Sequence, residues 1–290
     1  MSWRTVVITK RCKLDLKMGF MVMRAENVTR VFLDEIAVLI IESTAVSLTA
    51  ILLEALVRRK VKVIFCDGKH LPLAELMPYS AHFSSPMKLQ TQTAWDDDLK
   101  AAVWTTVISE KMRLQADFLT ELGQAREAGM IRGYLAQLEP LDPTHREAHA
   151  AKVYFSAVFG NSFKRDEDTP LTAALNYGYS ILLAAVSREI AACGYSTQLG
   201  LFHHNVFNGF NLASDLMEPF RVFVDRKVHG MRPESFGTDE KHSLVTLLED
   251  TVVVDSEKQT LLNAVRMYVR SVFDMLETGD FSRFKHCQPE

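Results

Sequence analysis

The sequence predicts an α+β protein in which a small β-rich N-terminal domain precedes a larger all-helical C-terminal domain. Three observations carry this prediction. Short β-branched segments dominate residues 1–77, prolines and serines crowd residues 78–89, and a helical spacing of apolar residues runs through 90–290. Strands and helices repeat their apolar residues at different periods, so a change of period marks a change of architecture. We therefore expect two domains, 1–77 and 90–290, joined by a linker at 78–89.

In the first domain, apolar segments separated by polar or glycine breaks predict strands. The predicted strands are 3–9, 12–17, 20–24, 36–42 and 62–66. A helix is predicted over 46–59, because Leu48, Leu52, Leu56 and Val57 fall on one stripe. One helix against several strands makes this domain β-rich.

In the second domain, the apolar spacing and the capping residues predict helices throughout. Asp142 and Thr169 each precede a proline, which is a typical start of a helix. Gly194 is a typical stop. The predicted helices are 95–120, 130–138, 143–159, 171–193, 212–224, 242–248 and 257–276.

Composition narrows the class of protein. The chain has 290 residues, 48% of them hydrophobic, which is enough for a sizeable core, and its net charge is −3. Its longest apolar run, 36–41, is far shorter than the roughly 20 residues of a membrane-spanning helix. No secretory signal precedes the first strand, and the four cysteines are scattered without a CxxC pair. These features predict a cytoplasmic protein with reduced thiols.

Three segments of the second domain carry candidate site residues. Glu147 lies on a helix that looks buried, so its carboxylate needs a partner, either an arginine or a metal ion. His203 and His204 are adjacent and cannot both point the same way. Asp215 and Glu218 are three residues apart, and Pro219 predicts a kink or a new helix there.

Together these segments offer carboxylates and an imidazole, which suit Mg²⁺ or Mn²⁺. The sequence also lacks motifs that mark three other classes of enzyme. The sequence has no GxxxxGK[ST] loop of a nucleotide triphosphatase, no HExxH helix and no GxSxG elbow. Each segment also has a purely structural interpretation, with Arg221 as an ion-pair partner or a histidine at a helix start.

The order of the segments resembles the CRISPR adaptation integrase family, the first of the CRISPR-associated proteins. The resemblance rests on LNYGYSILLAAVSREIAACGY, LGLFHHNVFNGFNLASDLMEPFR and REAHAAKVYF, and on WTTVISEKMRLQ with Lys111 and Gln115. It covers nearly the whole chain and is nearest to members from type II systems. By this resemblance Glu147, His203 and Glu218 are the metal ligands and the catalytic residues. Many relatives have Asp where Glu218 stands, which leaves open whether Asp215 also reaches the ion; His204 is the reserve candidate.

The resemblance also implies an activity in antiviral defence. It implies a metal-dependent DNA endonuclease and integrase that inserts spacer DNA into the CRISPR array by 3′-hydroxyl transesterification, with Mg²⁺ or Mn²⁺ as cofactor. It further implies a homodimer formed through the β-rich domain, and a complex with a small second adaptation protein on double-stranded DNA. Arg146, Lys164, Arg165 and Lys241 are the candidate phosphate contacts. Two alternatives stay open: a non-catalytic DNA-binding scaffold of the same assembly, and a stand-alone structure-selective nuclease.

Overall fold

The computed structural model describes residues 4–68, 72–76 and 85–290. The chain forms two compact units, Met1–Ser85 and Pro86–Glu290. The first is rich in strands and the second in helices, which confirms the predicted α+β class. Residues 78–84 of the predicted linker lie outside the described residues, and 85–89 belong to a helix, α2 (Ser85–Thr93).

Two sheets and one helix make up the described part of the first unit. One sheet has the order β1-β5-β7-β8 and the other β4-β3-β2-β6. The strands are β1 (Arg4–Ile8), β2 (Cys12–Lys17), β3 (Phe20–Arg24), β4 (Val28–Phe32), β5 (Ile36–Ile41), β6 (Val46–Leu48), β7 (Lys62–Cys66) and β8 (Pro72–Glu75). The helix is α1 (Ala50–Arg58). The predicted strands 12–17, 20–24, 36–42 and 62–66 are therefore confirmed to within one residue.

Two predictions in this unit need correction. Residues 46–48 are not helical, because β6 pairs in parallel with β2 and the helix begins only at Ala50. The sequence does not predict strand β4, because its residues stay exposed or only partly buried even though the strand pairs with β3. In contrast, every residue of β5 is buried between two parallel neighbours, β1 and β7. Such a strand reads as one continuous apolar run.

The second unit is built mainly from helices around two long ones, α3 and α6. The helices are α2 (Ser85–Thr93), α3 (Asp97–Glu121), α4 (Ala125–Leu135), α5 (Arg146–Phe159), α6 (Pro170–Ala192), α7 (Asn211–Leu216), α8 (Arg221–Met231), α9 (Thr238–Val245) and α10 (Leu261–Thr278). Helix α6 begins where predicted, since the Thr169 hydroxyl accepts the backbone N–H of Thr172. Helix α3 packs against α4, α5, α8 and α10 and is the centre of this unit.

The expectation that the second unit is all-helical is wrong in one place. Strands β9 (Thr251–Val254), β10 (Glu257–Thr260) and β11 (Cys287–Pro289) form a small antiparallel sheet in the order β10-β9-β11. The helix predicted over 257–276 therefore begins later, at Leu261. There the Thr260 hydroxyl accepts the backbone N–H of Asn263 and caps α10. Short polar strands such as β10 lack an apolar pattern and exist only through pairing.

Among the helices in the described ranges, none is both long enough and apolar enough to cross a lipid bilayer.

Candidate metal and DNA site

A cavity of about 270 Å³ in the second unit brings the three predicted site residues together. Glu147, His203 and Glu218 all line it, although they lie far apart in the sequence. They come from α5, from the loop before α7 and from the turn before α8. Helix α3 contributes Trp104 and Lys111 to the lining of the same cavity. The structure thus places the predicted residues around one cavity.

Glu147 lies in the first turn of α5. The residue at the N-cap position is His145 and not the predicted Asp142. The Asp142 carboxylate nevertheless accepts the backbone N–H groups of Arg146 (2.7 Å) and Glu147 (2.9 Å). The predicted start at Pro143 is wrong, since the helix begins at Arg146 after His145, which is in the left-handed region at φ 53°. The positive end of the helix dipole therefore lies beside the Glu147 carboxylate.

His203 is held in place by Asp215, which is fully buried. The Asp215 carboxylate accepts the backbone N–H groups of Leu201 (2.7 Å), Phe202 (3.0 Å) and His203 (3.3 Å). Its Oδ1 also lies 2.5 Å from Nδ1 of the His203 ring. Because an ionised carboxylate only accepts, Nδ1 carries the proton, and Nε2 is left with a lone pair for a ligand. This hydrogen bond raises the pKa of His203.

The close approach of Asp215 depends on Gly200. A Cβ atom at this position would lie 2.3 Å from the carbonyl oxygen of His203 and 2.8 Å from Oδ2 of Asp215. Any side chain would therefore push the loop away from the carboxylate. Asp215 is thus a positioning residue for the His203 loop.

Replacing Asp215 by asparagine is expected to destabilise the fold by about 3 kcal/mol, because an amide turns donors toward buried N–H groups and removes a charge that they solvate. Urea unfolding measures the loss, with Asp166→Asn as an exposed control that should stay within about 0.5 kcal/mol. Equal stability of the two variants would contradict the role given to Asp215.

Glu218 begins a short 3₁₀ turn, Glu218–Phe220, between α7 and α8. Helix α7 ends at Leu216, so the break predicted from Pro219 is confirmed. Asp215 lies in α7 and Glu218 in the turn that follows it, and the two carboxylates have different partners. Arg221 donates from Nε to Oε1 of Glu218 at 2.7 Å.

Lys111 lies between the two predicted carboxylate ligands. Its Nζ atom is 2.5 Å from Oε1 of Glu147 and 2.6 Å from Oε2 of Glu218. Burial by itself would lower the pKa of Lys111, but the two carboxylates outweigh burial and raise it. Burial likewise opposes ionisation of Glu218, yet Lys111 and Arg221 lower its pKa to about 2. The Lys111 ammonium thus lies between the two carboxylates and pairs with both.

The low pKa of Glu218 predicts acid sensitivity. A carboxyl group whose pKa falls from 4.5 to about 2 on folding stabilises the protein above pH 4.5 and loses that contribution as the pH falls toward 2. The whole contribution is about 3 kcal/mol. The difference in unfolding free energy between wild type and Glu218→Gln should shrink steadily as the pH is lowered from 5 to 3. Two curves that stay parallel would contradict the assignment.

Two arginines flank the carboxylates in the same cavity. The guanidinium groups of Arg165 and Arg221 lie 5.1 Å and 4.6 Å from the centre of the Tyr179 ring. Tyr179 in turn donates its hydroxyl hydrogen to buried Asp225, which also accepts one from Tyr154 at 3.0 Å. Burial raises the pKa of Asp225 to about 6. The cavity therefore combines anionic metal-type ligands with cations suited to phosphate oxygens.

Only one of the four candidate phosphate contacts, all of them described residues, lines this cavity. Arg165 lines the cavity, whereas Arg146, Lys164 and Lys241 are outside the lining defined by the described residues. Arg146 lies 6.0 Å from the Tyr134 ring, Lys164 pairs with Glu167 at 3.0 Å, and Lys241 lies over Tyr177. His204 points to a neighbouring cavity of about 560 Å³. The two adjacent histidines thus face different cavities, as the sequence predicted.

The donor set fits a divalent ion, although the side chains are not in a ligand arrangement. Within 4–68, 72–76 and 85–290, no group of three histidine, cysteine, aspartate or glutamate side chains is placed to hold a metal. Lys111 stands in for a cation between Glu147 and Glu218. Two carboxylates with one buried cation between them, and an imidazole whose Nδ1 is already fixed, match the hard oxygen and nitrogen donors that Mg²⁺ or Mn²⁺ accepts. The metal assignment stays a prediction.

The sequence alone does not predict the contacts that Lys111, Tyr179 and Asp225 make at the site. A signal for the first was present: Lys111 and Gln115 are polar, four residues apart, and lie on the buried side of α3. Polar residues on an otherwise apolar helical face indicate a polar partner across the core. No comparable signal marked Asp225, whose partners come from α5 and α6.

Comparison with known sequences identifies similar proteins. A family model described as "CRISPR associated protein Cas1" matches residues 5–243. The chain is 32% identical over 277 residues to a protein of Neisseria meningitidis serogroup C (strain 8013) named "CRISPR-associated endonuclease Cas1". The alignment covers 93% of this chain and 91% of that protein.

Solved structures show the same fold at lower sequence identity. One, described as "Casposase bound to integration product", matches with a TM-score of 0.78 at 17% identity and covers 97% of this chain and 92% of that one. Another, described as "Cas6-RT-Cas1--Cas2 complex", matches with a TM-score of 0.76 at 14% identity. It covers 98% of this chain, which spans only 36% of the length of that larger chain.

Proposed function

Because this chain belongs to the Cas1 family of CRISPR-associated proteins, we propose that it joins spacer DNA to a CRISPR array by metal-dependent transesterification. The observation that carries the proposal is the single cavity shared by Glu147, His203, Glu218, Arg165 and Arg221. Carboxylates and an imidazole beside two guanidinium groups are suited to a phosphodiester and a divalent ion.

Each part of the cavity has a chemical task in this proposal. Glu147, His203 and Glu218 would hold Mg²⁺ or Mn²⁺, which when bound polarises the phosphate and stabilises a leaving oxygen. Asp215 keeps the His203 ring oriented, with Nε2 free to bind. Arg165 and Arg221 have N–H donors beyond those used in the structure and bind the non-bridging phosphate oxygens. Lys111 would have to leave its position between the two carboxylates for them to hold the ion.

The reaction balances without an external energy source. The oxygen of the incoming 3′ hydroxyl attacks phosphorus, one P–O bond forms, and the bond to the 3′ oxygen of the array strand breaks. The attacking hydroxyl gives up a proton to solvent, and the leaving oxygen takes one. One phosphodiester is exchanged for another, which agrees with the lack of a phosphate-binding GxxxxGK[ST] loop in the sequence.

Partners follow from the same family membership. The larger structure described as "Cas6-RT-Cas1--Cas2 complex" supports a Cas2-type second adaptation protein, and the casposase structure, described as bound to an integration product, supports DNA as a partner. We propose that this DNA is double-stranded. We propose a homodimer formed through the β-rich unit, where Met18, Val28 and Ile51 are exposed apolar residues. The reaction takes place where the array is, in the cytoplasm.

One assay tests the proposed activity. Purified protein is incubated with Mg²⁺ or Mn²⁺, a short DNA duplex and a supercoiled plasmid that carries a repeat, with and without the small partner. Joining should require a free 3′ hydroxyl on the duplex and a divalent ion, but no ATP. A dideoxy or phosphorylated 3′ end should stop the reaction, and a blocked 5′ end should not.

The alternatives give different results in the same assay. A stand-alone nuclease would nick the plasmid whatever the ends of the fragment are. A scaffold without catalysis would bind DNA and leave the plasmid intact under every condition. Efficient joining of a 3′-blocked fragment would contradict the transesterification mechanism itself.

A further inference from the structure

Phe202 lies directly before His203 and lines the same cavity. Its ring stacks on Trp104 of α3, with ring centres 4.1 Å apart and planes inclined by 19°. Trp104 is buried, whereas Phe202 is 41% exposed. Phe202 thus packs one side of its ring on a core residue and leaves the rest of its surface open beside the candidate site.

The position of this ring is fixed from three directions. Asp215 accepts the backbone N–H of Phe202 at 3.0 Å, as it does for the residues on both sides. Trp104 supports the ring from the core. The His203 ring meets it edge to face, with centres 5.8 Å apart. An aromatic ring held in this way binds a flat partner without losing much rotational freedom of its own.

Cations complete the surroundings. Lys111, Arg165 and Arg221 line the cavity together with Phe202. An aromatic face next to a group of cations is the combination that binds single-stranded nucleic acid, since the base stacks and the phosphate pairs with charge. A phenyl ring has no hydrogen-bonding edge, so stacking on it accepts any of the four bases.

We propose that Phe202, backed by Trp104, is a stacking platform for an unpaired nucleobase of the DNA strand that enters the cavity. The proposal rests on the proposed function for the identity of the ligand as DNA. A base on this platform would place its own sugar and phosphate beside His203 and the two arginines. In that position Phe202 is a binding residue that sets where the strand stops. A purely structural ring would need only to cover Trp104, which leucine also does.

Equilibrium binding of a short DNA duplex with an unpaired 3′ extension tests the platform. Fluorescence anisotropy in EDTA avoids any reaction, and each unpaired nucleotide is replaced in turn by an abasic one. For wild type, one abasic position should weaken binding about 5- to 100-fold. Phe202→Leu should weaken binding of the intact DNA by the same factor and show no further loss at that position. Phe202→Tyr should behave like wild type, because the aromatic face is kept.

A matched control lies on the same loop. Phe207 is 95% exposed and lines the neighbouring cavity instead, so Phe207→Leu should keep the full abasic effect. The platform is overturned if the abasic penalty persists in Phe202→Leu, if Phe202→Tyr binds as weakly as Phe202→Leu, or if no abasic position matters in wild type. If Phe202→Leu proves unstable on thermal melting, the wild-type abasic series and Phe202→Tyr still decide.

The outcome separates the platform from the proposed function. Wild-type protein that shows the base effect but fails to join DNA would contradict the function and support the platform. Protein that joins DNA with no base effect would overturn the platform alone.

Discussion

Glu147→Gln is expected to reduce the rate of DNA joining by a factor on the order of 1,000, because the amide cannot bind a hard divalent ion as a carboxylate does. The fold should survive, since Lys111 keeps its contact with Glu218 at 2.6 Å. The rate is measured with the plasmid assay at saturating Mn²⁺. DNA binding in EDTA should change little, because the guanidinium groups of the cavity are untouched.

Glu139→Gln is the matched control for this variant. Glu139 is an exposed glutamate between α4 and α5, outside the cavity, and its replacement should leave the joining rate unchanged. Wild-type joining by Glu147→Gln would count decisively against a metal role. A loss of joining that is matched by a loss of folded protein would instead place Glu147 among the structural residues.

Lys111→Met is expected to lower the free energy of unfolding by about 3 to 5 kcal/mol in EDTA. Removing the ammonium leaves the buried carboxylate of Glu218 with one ion-pair partner, Arg221. Glu147 loses its ion pair with Lys111. An uncompensated buried charge is strongly destabilising. Added Mn²⁺ should then raise the melting temperature of the variant much more than that of wild type, because the ion takes the place of the missing charge. Thermal melting with and without the ion measures both effects.

Lys100→Met on the same helix provides the comparison. Lys100 pairs with one exposed carboxylate, Asp97, at 2.6 Å, and such a surface pair contributes less than about 1 kcal/mol. It should therefore neither destabilise the protein much nor create a response to Mn²⁺. If Mn²⁺ does not raise the melting temperature of Lys111→Met either, the two carboxylates have a structural role and do not bind the ion.

Local chemistry made much of the fold predictable. The strands of the first unit follow from β-branched runs, and the start of α6 follows from Thr169 and Pro170. The errors occur where tertiary pairing overrides local preference. Residues 46–48 and 257–260 each precede a helix and become strands only because β2 and β9 pair with them. A sequence taken without its fold does not contain that information.

The candidate site divides in the same way. Ordered motifs indicated Glu147, His203 and Glu218, and the structure places all three in one cavity. The partners of those residues come from distant elements. Lys111 contacts both carboxylates only because α5 and the 218–220 turn pack against α3. Asp215 can accept the backbone N–H groups of the His203 loop only because Gly200 has no side chain in the way. The spacing of Lys111 and Gln115 on α3 indicates that a polar partner exists, but spacing along the chain identifies the partner in neither contact.

Manganese binding tests the central claim most directly. Electron paramagnetic resonance follows free Mn²⁺ as protein is added, for wild type and for Glu147→Gln, His203→Ala and Glu218→Gln. We expect one ion per wild-type chain, and affinity lower by at least about 10-fold in each variant, since each removes one ligand. Binding should also weaken as the pH falls through the raised pKa of His203, because the protonated imidazole cannot ligate. Wild-type protein that binds no ion, or variants that all bind it with unchanged affinity, would contradict a metal site formed by these three residues.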